Sequence, residues 1–174
     1  RLYASENANV VVTSRDMKKS SSVAAKINEE LGNQRACGVE AQSPEDVGKA
    51  IATANIILSA GAAGITLLPI SVLKEHGKNC KVVADINAIP PLGVEGLKSK
   101  VEDEEILPGT LGIGALAIGK MKNAVEIELI RRATEEPKGI FDYKIAYDIA
   151  KKAVMGKLEK GKSEGGKSEK HWLP

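Results

Sequence analysis

Apolar residues along this chain fall into short unbroken runs separated by stretches with helical spacing. Asn9–Ser14 (NVVVTS) is β-branched at its centre and bounded by Asn and charged residues, the pattern of a strand buried on both faces. Ser20–Leu31 sets Val23, Ala24, Ile27 and Leu31 on one helical stripe, and Gly32 supplies a stop. Cys37–Ala41 reads as a short strand. Ser43-Pro44-Glu45-Asp46 then opens a helix to about Ala52, with Ser as the cap, Pro in the first turn and acids against the dipole. Asn55–Ala60 (NIILSA) and Lys81–Asp85 (KVVAD) are two further strands, and between them a helix over Pro69–Glu75 ends at Gly77. Two adjacent prolines make Asn87–Gly93 an irregular loop. Glu102-Asp103-Glu104-Glu105 reads as a solvated turn, and the glycine-rich Ile106–Ile118 as a close-packed strand and turn. Helices follow from Lys120 to about Thr134, with Val125, Leu129 and Ile130 inward, and over Tyr143–Leu158.

Strands that alternate with helices at short spacing, and that are continuous apolar runs, define an α/β protein with a doubly wound parallel sheet and helices on both faces. The expected domain covers residues 1–156. Residues 157–174 form a Lys/Glu/Gly/Ser-rich tail that lacks anything to bury and is expected to be disordered. The formal net charge is +2, and Lys157–Lys170 carries five Lys against three Glu, so the tail alone accounts for it. With the body neutral and aromatics at 3%, a general nucleic-acid binder is excluded. Ala50–Leu73 carries no charge. Its Asn55, Gly61, Gly64 and Pro69 nevertheless fit a strand, a loop and a helix start better than a membrane span. With no apolar leader in the first twenty positions, a soluble cytoplasmic protein is expected. Cys37 and Cys80 are far apart with no His beside them, so they read as reduced thiols in or near the core rather than zinc ligands or a disulfide.

Parallel α/β sheets bind ligands beyond the carboxyl ends of their strands, which selects the candidate residues. After the first strand stand Thr13, Ser14, Arg15 and Lys18. A hydroxyl beside a planar guanidinium suits a phosphate, although a solvated charge cluster explains the same residues. Gly61 and Ala62 open a loop free of bulk after the second clear strand, where a plain tight turn is the alternative. Asp85, Asn87 and Ala88 lead into the diproline loop, whose irregular backbone is best explained by a site that it shapes. Gly112, Ile113 and Gly114 read as the far wall of the same pocket; the segment lacks the GK[ST] ending of a phosphate loop. His76 and His171 have no nucleophile partner in the pattern, and no metal constellation is readable. Lys120 stands at the end of the glycine segment, with a plain surface lysine as its alternative.

Taken together, VVADINAIPPLGVEGL (Val82–Leu97), GTLGIGALAIGKMKNA (Gly109–Ala124), SAGAAGITLLP (Ser59–Pro69) and KGIFDYKIAYDIAKKA (Lys138–Ala153) resemble the nucleotide-binding domain of the NADP-dependent methylene-tetrahydromethanopterin and methylene-tetrahydrofolate dehydrogenases. The resemblance implies a Rossmann-like fold and hydride transfer from the methylene carbon of a reduced-pterin adduct to NADP, with NAD as the alternative cofactor. It implies that Thr13, Ser14, Arg15 and Lys18 meet the 2′-phosphate and that Gly61 and Ala62 line the dinucleotide. Asp85, Asn87 and Ala88 would then frame the nicotinamide, Gly112, Ile113 and Gly114 would close the far wall, and Lys120 would lie towards the pterin. Against that pattern, Arg1–Glu6 reads as the tail of a first helix, so the first strand and its glycine turn are expected to be missing, along with a separate N-terminal pterin-binding domain. A homo-oligomer is expected beside such an open strand. A non-catalytic nucleotide-binding or interaction module is the competing reading.

Overall fold

The computed structural model describes residues 1–135 and 138–163, with side chains through residue 156. The chain divides into two compact units, Arg1–Leu116 and Ala117–Pro174. In the first, a short helix α1 (Leu2–Ser5) leads to β1 (Val10–Ser14), α2 (Met17–Leu31), β2 (Ala36–Glu40) and α3 (Pro44–Ile51). Then come β3 (Ile56–Ser59), α4 (Ile70–His76), β4 (Val82–Asp85), β5 (Glu102–Leu107) and β6 (Thr110–Ile113). The helix α5 (Ala115–Glu135) carries the chain into the second unit, which also holds α6 (Tyr143–Ser163).

The expected α/β architecture is present, with parallel strands flanked by helices. The strands form two sheets: β1 and β2 pair in parallel, and a four-stranded sheet runs β3-β4-β6-β5. Within the larger sheet β3, β4 and β6 are parallel and β5 is antiparallel to β6. The acidic run Glu102–Glu105 is therefore not a turn but the start of an edge strand. Its register slips between Glu102 and Glu104, and Asp103 takes a left-handed φ of 54° there. Edge strands carry charges readily because one margin and one face meet water, and those charges deter pairing with other chains.

Local signals explain most boundaries. α2 begins at Met17 rather than Ser20 because the Asp16 carboxyl accepts from the backbone N–H of Lys18 at 2.8 Å and Lys19 at 3.4 Å. Gly32 ends it in the left-handed region, φ 61°. α3 starts on a capping box: Asp46 N–H donates to Ser43 Oγ at 3.2 Å while Asp46 Oδ2 accepts from Ser43 N–H at 3.0 Å. Ser43 Oγ also donates to that carboxyl at 2.8 Å, and these bonds hold the Asp46 acid below its ordinary value.

Two apolar clusters hold the first unit together. Leu73, Val83, Val94 and Leu97 are almost wholly buried with Ile51, Leu68 and Cys80 beside the larger sheet. Each such side chain contributes about 1.5–3 kcal/mol relative to an exposed one. Ala4, Ala24, Ile27 and Ala36 form the second cluster under β1 and β2, with Val10 and Val12 packed on it. β4 is buried on both faces, but the two-faced burial expected of Asn9–Ser14 is not what β1 has, and β3 alternates as well. Val11 alternates outward from Val10 and Val12, and Ile56 and Leu58 do so around Ile57, leaving Ile56 51% exposed. On the outer margin of β2, Asn28 of α2 binds Ala36 twice. Its Nδ2 donates to the Ala36 carbonyl at 2.8 Å and its Oδ1 accepts from the Ala36 N–H at 2.9 Å.

In the second unit, α5 starts before the expected Lys120 and has no buried residue. Val125 and Leu129 are half-buried, whereas Ile130, expected inward, is 65% exposed. α6 runs through Ser163, past the expected tail boundary at residue 157; residues 164–174, including His171, lie outside the described residues. Of the two cysteines, Cys80 is buried and Cys37, expected in or near the core, is exposed on β2.

Candidate functional site

The candidate residues of the first unit stand at or just beyond the carboxyl ends of β1, β3, β4 and β6. At the end of β1, Thr13 and Arg15 are exposed and Ser14 is half-buried, its Oγ accepting from the Asp16 N–H at 3.2 Å. Asp16 turns into the cap of α2, while the exposed Arg15 and Lys18 form no side-chain ion pair or hydrogen bond among the described residues. Two uncommitted cations and a strand-end hydroxyl are a chemistry that fits a phosphate.

Ser59 ends β3 in register with Asp85, which ends β4. From Ser59 the chain enters Gly61 and Ala62, both exposed, and then Gly64 in the left-handed region at φ 75°. A backbone free of bulk is therefore open to water here, as a flat ligand requires. Beyond β4 the loop is ordered by its own polar side chains. Asp85, 1% exposed, accepts the Asn87 N–H on Oδ1 and the Val94 N–H on Oδ2, both at 3.0 Å. Asn87 is also buried: its Oδ1 accepts from the Ile89 N–H at 3.0 Å and its Nδ2 donates to the Pro91 carbonyl at 3.4 Å. Ile86, Ala88 and Ile89 face outward. The two loops are clipped together at Gly93, whose carbonyl accepts the N–H groups of Leu67 at 2.8 Å and Leu68 at 2.9 Å.

Several expected contacts read differently in place. Asp85 and Asn87 spend their side chains inside the loop, which leaves Ala88 as the outward member of that trio. Gly112 points into the apolar cluster, where an added Cβ would stand 2.7 Å from both Leu97 and Ile106. Gly114 packs on backbone, its Cβ position 2.4 Å from the Lys98 carbonyl. Both glycines serve close packing, and Ile113 between them is half-buried. Lys120 is exposed on α5 in the second unit. His76 packs its ring over Gly48, 2.4 Å from where a Cβ would be, and its Nε2 lies 3.8 Å from Glu75 Oε1. The outward Ile86 and Ile89 were missed by sequence reasoning; their signal was two isoleucines three positions apart in an irregular loop, on either side of Asn87 and Ala88.

Elsewhere, a groove of about 560 Å³ runs between α2 and β2, lined by Asn28, Glu29, Asn33 and Cys37 among others. It lies away from the strand ends just described. Among the described residues no cluster of three His, Cys, Asp or Glu could hold a metal ion, and no helix is long and apolar enough to cross a membrane.

Sheet order, crossover helices and strand-end loops together define a Rossmann-like α/β unit. The chain is similar to an NAD(P)-dependent methylenetetrahydromethanopterin dehydrogenase of Methylorubrum extorquens, 35% identical over 114 residues, which is 64% of this chain and 38% of that protein. It is also similar to the bifunctional protein MdtA of the same organism, 31% identical over 148 residues, 84% of this chain and 50% of MdtA. The chain thus spans about half the length, or less, of these relatives. No family model matches it.

Proposed function

We propose that this chain forms the dinucleotide-binding part of an oxidoreductase that takes a hydride from a methylene-tetrahydropterin and delivers it to NADP. The observation that carries the cofactor assignment is Arg15 just after β1 and Lys18 in the first turn of α2, whose side chains pair with nothing among the described residues. In dinucleotide-binding sheets a cation at such a strand end accommodates the 2′-phosphate that distinguishes NADP from NAD. The similarity to a methylenetetrahydromethanopterin dehydrogenase supports the one-carbon substrate, methylene-tetrahydromethanopterin or methylene-tetrahydrofolate.

In this reading Ser14 and Arg15 hold the 2′-phosphate with Thr13 and Lys18 beside them, and Gly61 and Ala62 let the dinucleotide lie against the backbone. The bound nicotinamide supplies the hydride acceptor. The chain's own residues bind and orient it and exclude water: Ile86, Ala88 and Ile89 offer an apolar surface to the ring. No general base is needed, because loss of hydride leaves a methenyl cation stabilised by the adjoining nitrogens. Orientation of the two rings is then the main catalytic contribution.

The partner is polypeptide that completes the pterin site and the sheet, in a cytoplasmic homo-oligomer. The Val10 N–H donates to the Arg35 carbonyl just before β2, and the Asn55 carbonyl accepts from the N–H groups of Lys81 and Val82 at the start of β4. By strand alternation Val11 and Thr13 of β1, and Ile56 and Leu58 of β3, therefore aim their backbone groups at margins that no strand covers among the described residues. A further strand fits there.

Titration of the chain with NADPH and NADH tests the cofactor. NADPH is expected to bind weakly, and Arg15→Asp to weaken it about tenfold or more while changing NADH little, since a charge-assisted contact contributes about 1.5–3 kcal/mol. Equal responses to both cofactors overturn the 2′-phosphate assignment. Cofactor binding that persists without turnover once the completing polypeptide is supplied would favour a non-catalytic module.

A further inference from the structure

The loop after β4 is built around one buried carboxyl group. Asp85 reaches its beginning through the Asn87 N–H and its end through the Val94 N–H, so a single side chain spans the irregular backbone between them. Asn87 repeats the arrangement one turn further in, with bonds to Ile89 and Pro91. Behind Asp85, Gly93 approaches so closely that an added Cβ would stand 2.3 Å from Ser59 Oγ and 2.8 Å from Asp85 Oδ1. The Ser59 hydroxyl is itself buried without a hydrogen-bond partner among the described residues. Leu67, Leu68 and Glu95 tie the same place to the loop after β3 through the Gly93 and Leu68 carbonyls. Polar groups of the loop are thus turned inward, and its outward face at Ile86, Ala88 and Ile89 is apolar.

We infer that Asp85 is a positioning residue: it does not touch the cofactor but holds the Ile86–Ile89 face in the shape that receives the nicotinamide ring. The inference rests on the dinucleotide reading above and assigns to a second-layer side chain a role that the strand-end position alone would give to direct contact. A carboxyl oxygen is required at both ends. Asp85→Asn keeps the size but sets an N–H2 against one of the two backbone donors, so one bond is lost and one buried donor is left facing another.

The test uses two probes on the chain, NADPH and adenosine 2′,5′-bisphosphate, which carries the 2′-phosphate but no nicotinamide. In Asp85→Asn the NADPH affinity is expected to fall about fivefold to tenfold. The bisphosphate affinity should change less than about twofold, since the β1 end is untouched. A merely structural role would weaken both alike, and that result overturns the inference. The unaltered chain gives a second reading that does not depend on the variant folding. NADPH should slow amide exchange at Asn87 and Val94 while the bisphosphate leaves it unchanged. Slowing by both probes, or by neither, overturns the positioning role. If the unaltered chain binds the bisphosphate but gains nothing from the nicotinamide half, the ring is not received at this loop. Failure to bind either probe instead overturns the dinucleotide reading itself.

Discussion

At the scale of single residues, buried polar groups at the end of the larger sheet set how much change the chain tolerates. Gly93 has no room for a side chain: a methyl group there meets the Ser59 hydroxyl and the Asp85 carboxyl at once. Gly93→Ala is expected to destabilise the chain by about 1–3 kcal/mol, as overpacked positions do. Ser59→Ala removes a buried hydroxyl that bonds nothing among the described residues, so it should be neutral or stabilise by up to about 1 kcal/mol. Denaturant unfolding of the two variants checks both signs, and a Ser59→Ala loss as large as that of Gly93→Ala would refute the account. This contrast could not be read from the sequence. Ser59 is far along the chain from Asp85 and Gly93, and only the parallel register of β3 and β4 makes neighbours of Ser59 and Asp85. That residues near these strand ends matter was legible; which way Asp85 and Asn87 turn was not. A carboxyl facing a ligand and one facing its own backbone have the same place in the sequence.

At the scale of elements, caps and turns were the most legible features, because their chemistry is local. Ser43, Pro44 and Asp46 specify the start of α3 by themselves, and Gly32 the end of α2. The Asp46 acid is held low first by the Ser43 hydroxyl and then by the Ser43 and Gln42 N–H groups. A lowered folded value stabilises α3 above the unfolded value of 3.8, and the contribution is lost as pH falls below 3.8 through the folded value. The stability difference between the unaltered chain and Asp46→Asn should therefore be constant near neutrality and close in that acid window. In a Ser43→Ala background the closure should be weaker. Acid titration of helicity in the four chains measures it. The edge strand β5 escaped the same kind of reading because its first residues, Glu-Asp-Glu-Glu, satisfy solvent rather than a core. One-sided burial of β1 and β3 was hidden for a related reason: apolarity shows that a residue can be covered, not what covers it.

At the scale of the whole molecule, β1 and β3 each end a sheet with one margin that no strand covers among the described residues, which makes a specific dynamic prediction. Amides of Val11, Thr13, Ile56 and Leu58 should exchange with solvent much faster than those of Val12 and Ile57, which pair with β2 and β4. Hydrogen exchange resolved by residue would show alternate fast and slow positions along each strand. Uniform protection would mean that both margins are already occupied. The α/β class was legible because alternation of strand and helix survives in the sequence whichever strands are paired; the division into two sheets was not, since pairing is a property of distant partners. The Asn28 carboxamide gives this arrangement a direction. By holding the N–H and carbonyl of Ala36 it stands in for the peptide of a neighbouring strand and closes part of β2's outer border. Another chain seeking to stack there, as in edge-to-edge aggregation, meets a side chain already in the place it needs. Further β pairing is therefore less favoured at this end of β2 than along the open margins of β1 and β3.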